Sequence, residues 1–203
     1  MNKIIILAVV AILIVGAYFM FFAGGEKEPD ANDTITPPPV TSNTMTATLV
    51  TNMGEVELEL FSDDAPKTVA NFAKLAEEGF YNGTKFHRVI QSFMIQGGDP
   101  LTKDSEMKDR WGTGGPGYAF EDEIHTNNKN VVGTIAMANS GPDTNGSQFF
   151  INTAANSFLD TKHTVFGKVT SGMEIVTAIE SVATKGPDRP VEDVIIESIT
   201  ISQ

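Results

Sequence analysis

Residues 47–203 predict an all-β domain, an antiparallel barrel closed on itself and capped by two α-helices. A strand stands at each end of this segment, an alternating one over Glu55–Leu60 and another around Val194–Ile201. Between them lie short apolar runs, Phe86–Ile90, Phe93–Ile95, Val131–Ala138, Gln148–Ile151 and Val165–Val169, each broken off by Gly, Asn, Pro or Asp. Strands this short and this closely spaced belong to barrels and sandwiches. Only two stretches repeat with a helical period. Periodicity alone leaves a two-sheet sandwich equally open.

In chain order, Val56, Leu58 and Leu60 point one way and Glu55, Glu57 and Glu59 the other, a half-buried strand. Asn52-Met53-Gly54 turns it back on Thr48–Thr51. Pro66 opens a helix, because its missing N–H costs nothing in a first turn. Val69, Phe72, Ala73 and Ala76 form that helix's apolar stripe, and Gly79 closes it. A second helix is expected after Ser171, which stands in the Ser-x-x-Glu capping relation to Glu174. Its apolar face is Met173, Val176, Ile179 and Val182.

The first 46 residues read differently. Ile4 to Ala23 is a run of twenty residues without a charge, long enough at about 1.5 Å per residue to cross a hydrocarbon core of ~30 Å. A cleavable signal has a shorter apolar region of ~7–15 residues and a small-x-small cleavage site. This run ends in Phe19-Met20-Phe21-Phe22. Residues 1–23 are therefore expected to be an uncleaved signal-anchor, with a cleaved and secreted form as the competing reading. Lys3 precedes the run and net acidic sequence follows it, which places the N-terminus in the cytoplasm and the rest outside. Residues 24–46, acidic and then Thr/Pro-rich around Pro37-Pro38-Pro39, are expected to be a disordered tether. The partner of residues 4–23 is thus the lipid bilayer.

Composition excludes several classes of function. The chain has 203 residues, a formal charge of −12 and no cysteine. Disulfides, thiolate catalysis and Cys-ligated zinc are ruled out. An acidic domain without Lys/Arg clusters repels phosphate backbones, so no nucleic-acid partner is expected. The three histidines, His87, His125 and His163, lack metal-ligand spacing, so no metal or cofactor is expected. Ser147 has no Gly-x-Ser-x-Gly elbow, and Gly112–Gly117 lacks the Lys-Ser/Thr of a P-loop. That glycine-rich stretch reads as a loop using unusual backbone angles.

Three segments remain: Phe86–Asp99 (FHRVIQSFMIQGGD), Met137–Ile151 (MANSGPDTNGSQFFI) and Phe158–Lys168 (FLDTKHTVFGK). With Pro66–Phe72, Tyr81–His87 and Gly112–Glu123 around them, the sequence from about residue 47 to the end resembles the cyclophilin family of peptidyl-prolyl isomerases. The resemblance implies an eight-stranded antiparallel barrel with two helices and a substrate groove on its outer surface, acting on proline-containing segments of unfolded or flexible proteins; a monomer is expected. It places the catalytic arginine on Arg88. It places the proline pocket on Phe93, Met94, Phe150 and Leu159, with His163 at the rim, and the polar groove contacts on Gln96, Ala138, Asn139 and Gln148. Phe158 is the departure: many family members carry Trp there, which lowers the cyclosporin affinity expected of this chain.

The residue chemistry points the same way. Twisting an amide costs ~18–20 kcal/mol because conjugation is lost. At 90° the nitrogen lone pair localises and accepts a hydrogen bond that the planar amide cannot. A fixed guanidinium aimed there binds the transition state better than either ground state. A binding module that keeps the groove but serves as a chaperone or scaffold is the competing reading; Arg88 argues against it, since a pure binder needs no donor at the twisted nitrogen. For Phe86 and Phe149 a place in the barrel core is favoured, and His87 and His125 read as structural.

Overall fold

The computed structural model describes residues 44–203. The expected anchor, residues 1–23, and nearly all of the expected tether, residues 24–46, lie outside the described residues. Among the described residues no helix is long and apolar enough to cross a membrane.

The strands are β1 (Thr46–Thr51), β2 (Gly54–Leu60), β3 (Arg88–Ile90), β4 (Met94–Gly97), β5 (Thr134–Met137), β6 (Phe149–Asn152), β7 (Val165–Ser171), β8 (Thr184–Lys185), β9 (Arg189–Pro190) and β10 (Ile196–Ser202). The helices are α1 (Pro66–Glu77) and α2 (Met173–Glu180). Eight strands form one curled sheet in the order β10-β1-β2-β7-β5-β6-β4-β3, every ladder antiparallel, while β8 and β9 pair as a separate hairpin. The expected closure is not a ladder between the edge strands β10 and β3. Residues 83–86 lace the edges instead: Gly83 N donates to Ile196 O at 2.8 Å, Ile196 N to Thr84 O at 2.8 Å, and Phe86 N to Val194 O at 2.9 Å. Left-handed turns at Gly79 (φ 68°) and Gly83 (φ 80°) keep that stretch from lying as a strand.

Alternation in β2 buries Val56, Leu58 and Leu60 as expected. In α1 the stripe Val69, Phe72, Ala73 and Ala76 is buried, and Phe72 lies 5.3, 5.7 and 5.2 Å from the rings of Tyr81, Phe149 and Phe166. The residue before α1, Ala65, offers no side-chain cap. Glu123 supplies one from a distance, accepting from Lys67 N at 3.1 Å and Thr68 N at 2.7 Å.

Two further expectations are corrected. Ser171 does not cap α2: it ends β7, and the capping position is Gly172, with φ 83° and no side-chain hydrogen bond. A Cβ at Gly172 would lie 2.2 Å from Glu55 O, so the crossing of β2 and the strand-to-helix corner demands glycine. Val131 and Val132, expected in a strand, are 48% and 55% exposed, and β5 starts only at Thr134.

Candidate active site

Strand register assembles the site. Arg88 opposes Gln96, Gln96 opposes Phe150, Phe150 opposes Ala136, and Ala136 opposes Val165. Directly opposed residues share a sheet face, so a guanidinium, an amide, a phenyl ring and two small apolar groups stand in one row. The neighbouring row, Val89, Ile95, Ile151 and Ile135, points the other way into the main core. Phe86 and Phe149 are in that core, as favoured from the sequence. The outward row builds a second apolar cluster of Met94, Ala136, Phe150 and Val165, flanked by the partly buried Phe93, Ala138 and Leu159.

On this face a pocket of about 150 Å³ is lined by Arg88, Phe93, Met94, Gln96, Ala138, Asn139, Phe150, Leu159 and His163. An adjoining cleft of about 230 Å³ shares Gln96, Ala138 and Asn139 and adds Gln148 and the loop from Gly112 to Pro116. Nine of the eleven residues singled out from the sequence therefore line one pocket, and Gln148 lines its neighbour. Phe158 lines neither. It is 61% exposed and stacks on Phe93, with centroids 5.9 Å apart and planes at 18°.

The polar groups are held before any ligand arrives. The His163 ring meets Phe150 edge-on at 5.4 Å, and its Nδ1 lies 2.9 Å from Met137 O, which fixes the hydrogen on that nitrogen. Gln96 Nε2 donates to Gln148 Oε1 at 3.0 Å, and Gln148 Nε2 donates to Gly114 O at 2.8 Å. The buried Asp99 carboxylate accepts from Leu101 N, Gly112 N and Gly114 N, so it anchors the glycine loop on which that relay ends. A Cβ at Gly114 would fall 2.1 Å from Asp99 Oδ1. The Asn139 side-chain amide is engaged with the protein, donating to Lys162 O at 2.8 Å, which leaves its backbone for a peptide.

Arg88 is half exposed, and its Nε lies 3.7 Å from Asp188 Oδ2, an ion pair rather than a hydrogen bond. The adjacent His87 is buried with neither ring nitrogen hydrogen-bonded. Burial pushes its pKa down, against the opposing pull of the Asp99 carboxylate. His125 accepts a structural place, with Nε2 2.9 Å from Val165 O. Among the described residues no group of three His, Cys, Asp or Glu stands close enough to hold a metal. Asp99 and Asp188 were missed from the sequence. Asp99 closes the Phe86–Asp99 segment but carries no signal of its own, whereas Gly186-Pro187-Asp188 is a legible turn whose direction toward Arg88 appears only in three dimensions.

A curled antiparallel sheet with a proline-sized apolar pocket and a ready guanidinium on its outer face defines a groove-bearing β protein of the prolyl-isomerase type. The model of the cyclophilin-type peptidyl-prolyl cis-trans isomerase family matches residues 46–201, and the chain belongs to that family. It is 51% identical over 158 residues to peptidyl-prolyl cis-trans isomerase-like 1 of Mus musculus, covering 77% of this chain and 92% of that one. To peptidyl-prolyl cis-trans isomerase A of Mycobacterium tuberculosis (strain ATCC 25618 / H37Rv) it is 46% identical over 188 residues, covering 84% and 98%. A crystal structure of a cyclophilin-type isomerase from Cryptosporidium parvum superposes with a TM-score of 0.72 at 35% identity, covering 79% of this chain and 98% of that one. A second structure of that protein, determined in the presence of the dipeptide Ala-Pro, gives 0.71 at 35% identity, over 78% and 99%. The chain is a cyclophilin-type peptidyl-prolyl cis-trans isomerase.

Proposed function

We propose that this enzyme turns X-Pro bonds by holding the pyrrolidine ring in the pocket of Phe93, Met94, Phe150 and Leu159 while Arg88 donates to the twisted amide nitrogen. The observation that carries this reading is the register row: Arg88, Gln96 and Phe150 stand on adjacent strands of one face, so a ring seated on Phe150 leaves its nitrogen beside the guanidinium. The pocket holds the ring still while Gln96 and the Asn139 backbone hold the flanking peptide, so the rotation is confined to the X-Pro bond. Arginine suits the task because it stays charged and its donors form a rigid fork. No nucleophile is consumed, since no covalent bond breaks.

The same reading places the enzyme outside the cytoplasmic membrane, tethered through residues 4–23 and acting as a monomer on secreted or membrane proteins as they fold. What supports it is the uncharged run of twenty residues followed by a polar stretch of about the same length. Turnover is tested by following isomerisation of a short Xaa-Pro peptide on addition of the protein. A rate no greater than the uncatalysed one, from a folded preparation, would reject the activity for this chain.

A further inference from the structure

We infer that Asp188 is a positioning residue for Arg88, a carboxylate clamp that aims the guanidinium into the groove; this rests on the transition-state role proposed for Arg88 above. Arg88 begins the edge strand β3, is half exposed, and stands outside the apolar cluster that packs this face. Among the described residues Asp188 is its ion-pair partner, with Oδ2 3.7 Å from Nε. Contact through Nε leaves the terminal nitrogens free to meet a ligand.

The clamp is itself built in place. Asp188 adopts φ 61°, in the turn between β8 and β9. Its carbonyl oxygen accepts from Val89 N at 2.8 Å, so its backbone grips the residue after Arg88 while its side chain pairs with Arg88 itself. Its own N–H donates to Gly186 O at 3.0 Å. The next residue, Arg189, lies 4.9 Å from the Trp111 ring centroid and donates from Nη2 to Lys108 O at 2.7 Å. Pro190 after it is buried. The turn is therefore fixed on both sides, and the carboxylate stands ready instead of being recruited. A pair this exposed adds little to stability. Its consequence is direction: a long side chain already ordered loses less freedom when the transition state forms.

Asp188→Asn is the suitable probe, because asparagine tolerates positive φ and keeps the shape while removing the charge. Steady-state isomerisation is measured on the intact chain and on Asp188→Asn, Arg88→Ala and the double variant, with peptide affinity followed separately by NMR titration. The expected result is a kcat about three- to tenfold lower for Asp188→Asn, the cost of re-ordering one long side chain, with unchanged KM, affinity and unfolding midpoint. Raising ionic strength from ~0.01 to ~1 M should lower the parent's kcat toward the variant's and leave the variant flat, since an exposed pair is screened. In the Arg88→Ala background Asp188→Asn should do nothing further. The inference is overturned if Asp188→Asn keeps the parent's kcat, loses activity through KM, or loses as much without Arg88. Should Arg88→Ala itself keep full turnover, the transition-state reading falls, and the clamp with it; that outcome is distinct from a crippled Arg88→Ala beside an unaffected Asp188→Asn.

Discussion

At the scale of single residues, Phe158 and His87 show how a side chain's surroundings set what it can do. Phe158 offers a stacking face, continued by Phe93, and no polar handle. A tryptophan in its place would add an indole N–H donor. Gaining that bond and some contact area gives roughly 1–3 kcal/mol, so Phe158→Trp should tighten cyclosporin binding about tenfold or more while peptide turnover changes little. Titration calorimetry on both proteins checks this, and equal affinities would remove the argument. His87 is buried, its pKa pushed below the usual histidine value by burial. The folded state therefore binds the proton less readily than the unfolded one, whose histidine titrates near ~6.5. Its contribution to stability is complete above that pH and declines as pH falls below it, until the folded-state pKa is passed. Denaturant unfolding between about pH 7.5 and 5 should show stability dropping with acid at a slope of up to ~1.4 kcal/mol per pH unit from this one group. In His87→Asn that component of the slope should vanish, and a slope identical in the two proteins would contradict the assignment.

At the scale of elements, the strand-to-helix corner at Gly172 separates two accounts of how α2 begins. If the serine hydroxyl capped the helix, Ser171→Ala would cost about 0.5–2 kcal/mol; with Gly172 at the capping position it should change stability by less than ~0.5 kcal/mol. Gly172→Ala should cost at least ~1–2 kcal/mol for the left-handed backbone alone, and more for the overlap with Glu55 O. Chemical denaturation of the two variants reads both numbers, and a costly Ser171→Ala beside a mild Gly172→Ala would restore the capping box. Elements with one buried face were legible from the sequence. The β1–β2 hairpin and α1 showed their periods because water faces their other side. β5 and β6 were harder, since both of their faces are covered and TIAM and FFIN read as plain apolar runs. The strand pleat turns Phe149 inward and Phe150 outward into a pocket; with both faces buried, periodicity cannot tell which is which, but the family resemblance could. Neither reached the Glu123 cap on α1, the lacing of residues 83–86, or Asp188, because each joins positions far apart in the chain through loops.

At the scale of the whole molecule, an acidic isomerase domain follows a long uncharged N-terminal run, and the proposed arrangement is a domain held off a bilayer by its polar stretch. The intact chain should then stay with membranes through high-salt or alkaline washing, and protease added to spheroplasts should release a folded domain by cutting within residues 24–46. Recovery in the soluble cytoplasmic fraction, untouched by external protease, would contradict that arrangement. The central claim concerns the groove as a working unit, one part holding the ring and another acting only when the amide twists. The measurement that tests it most directly is turnover and peptide affinity, taken in parallel, for the intact protein, Arg88→Ala and Phe150→Ala. By analogy with deleting one preorganised donor, Arg88→Ala should lose ~10²–10³ in rate with peptide affinity unchanged, whereas Phe150→Ala should weaken affinity as well. Full turnover in Arg88→Ala, or a loss that tracks weaker binding, would contradict the account.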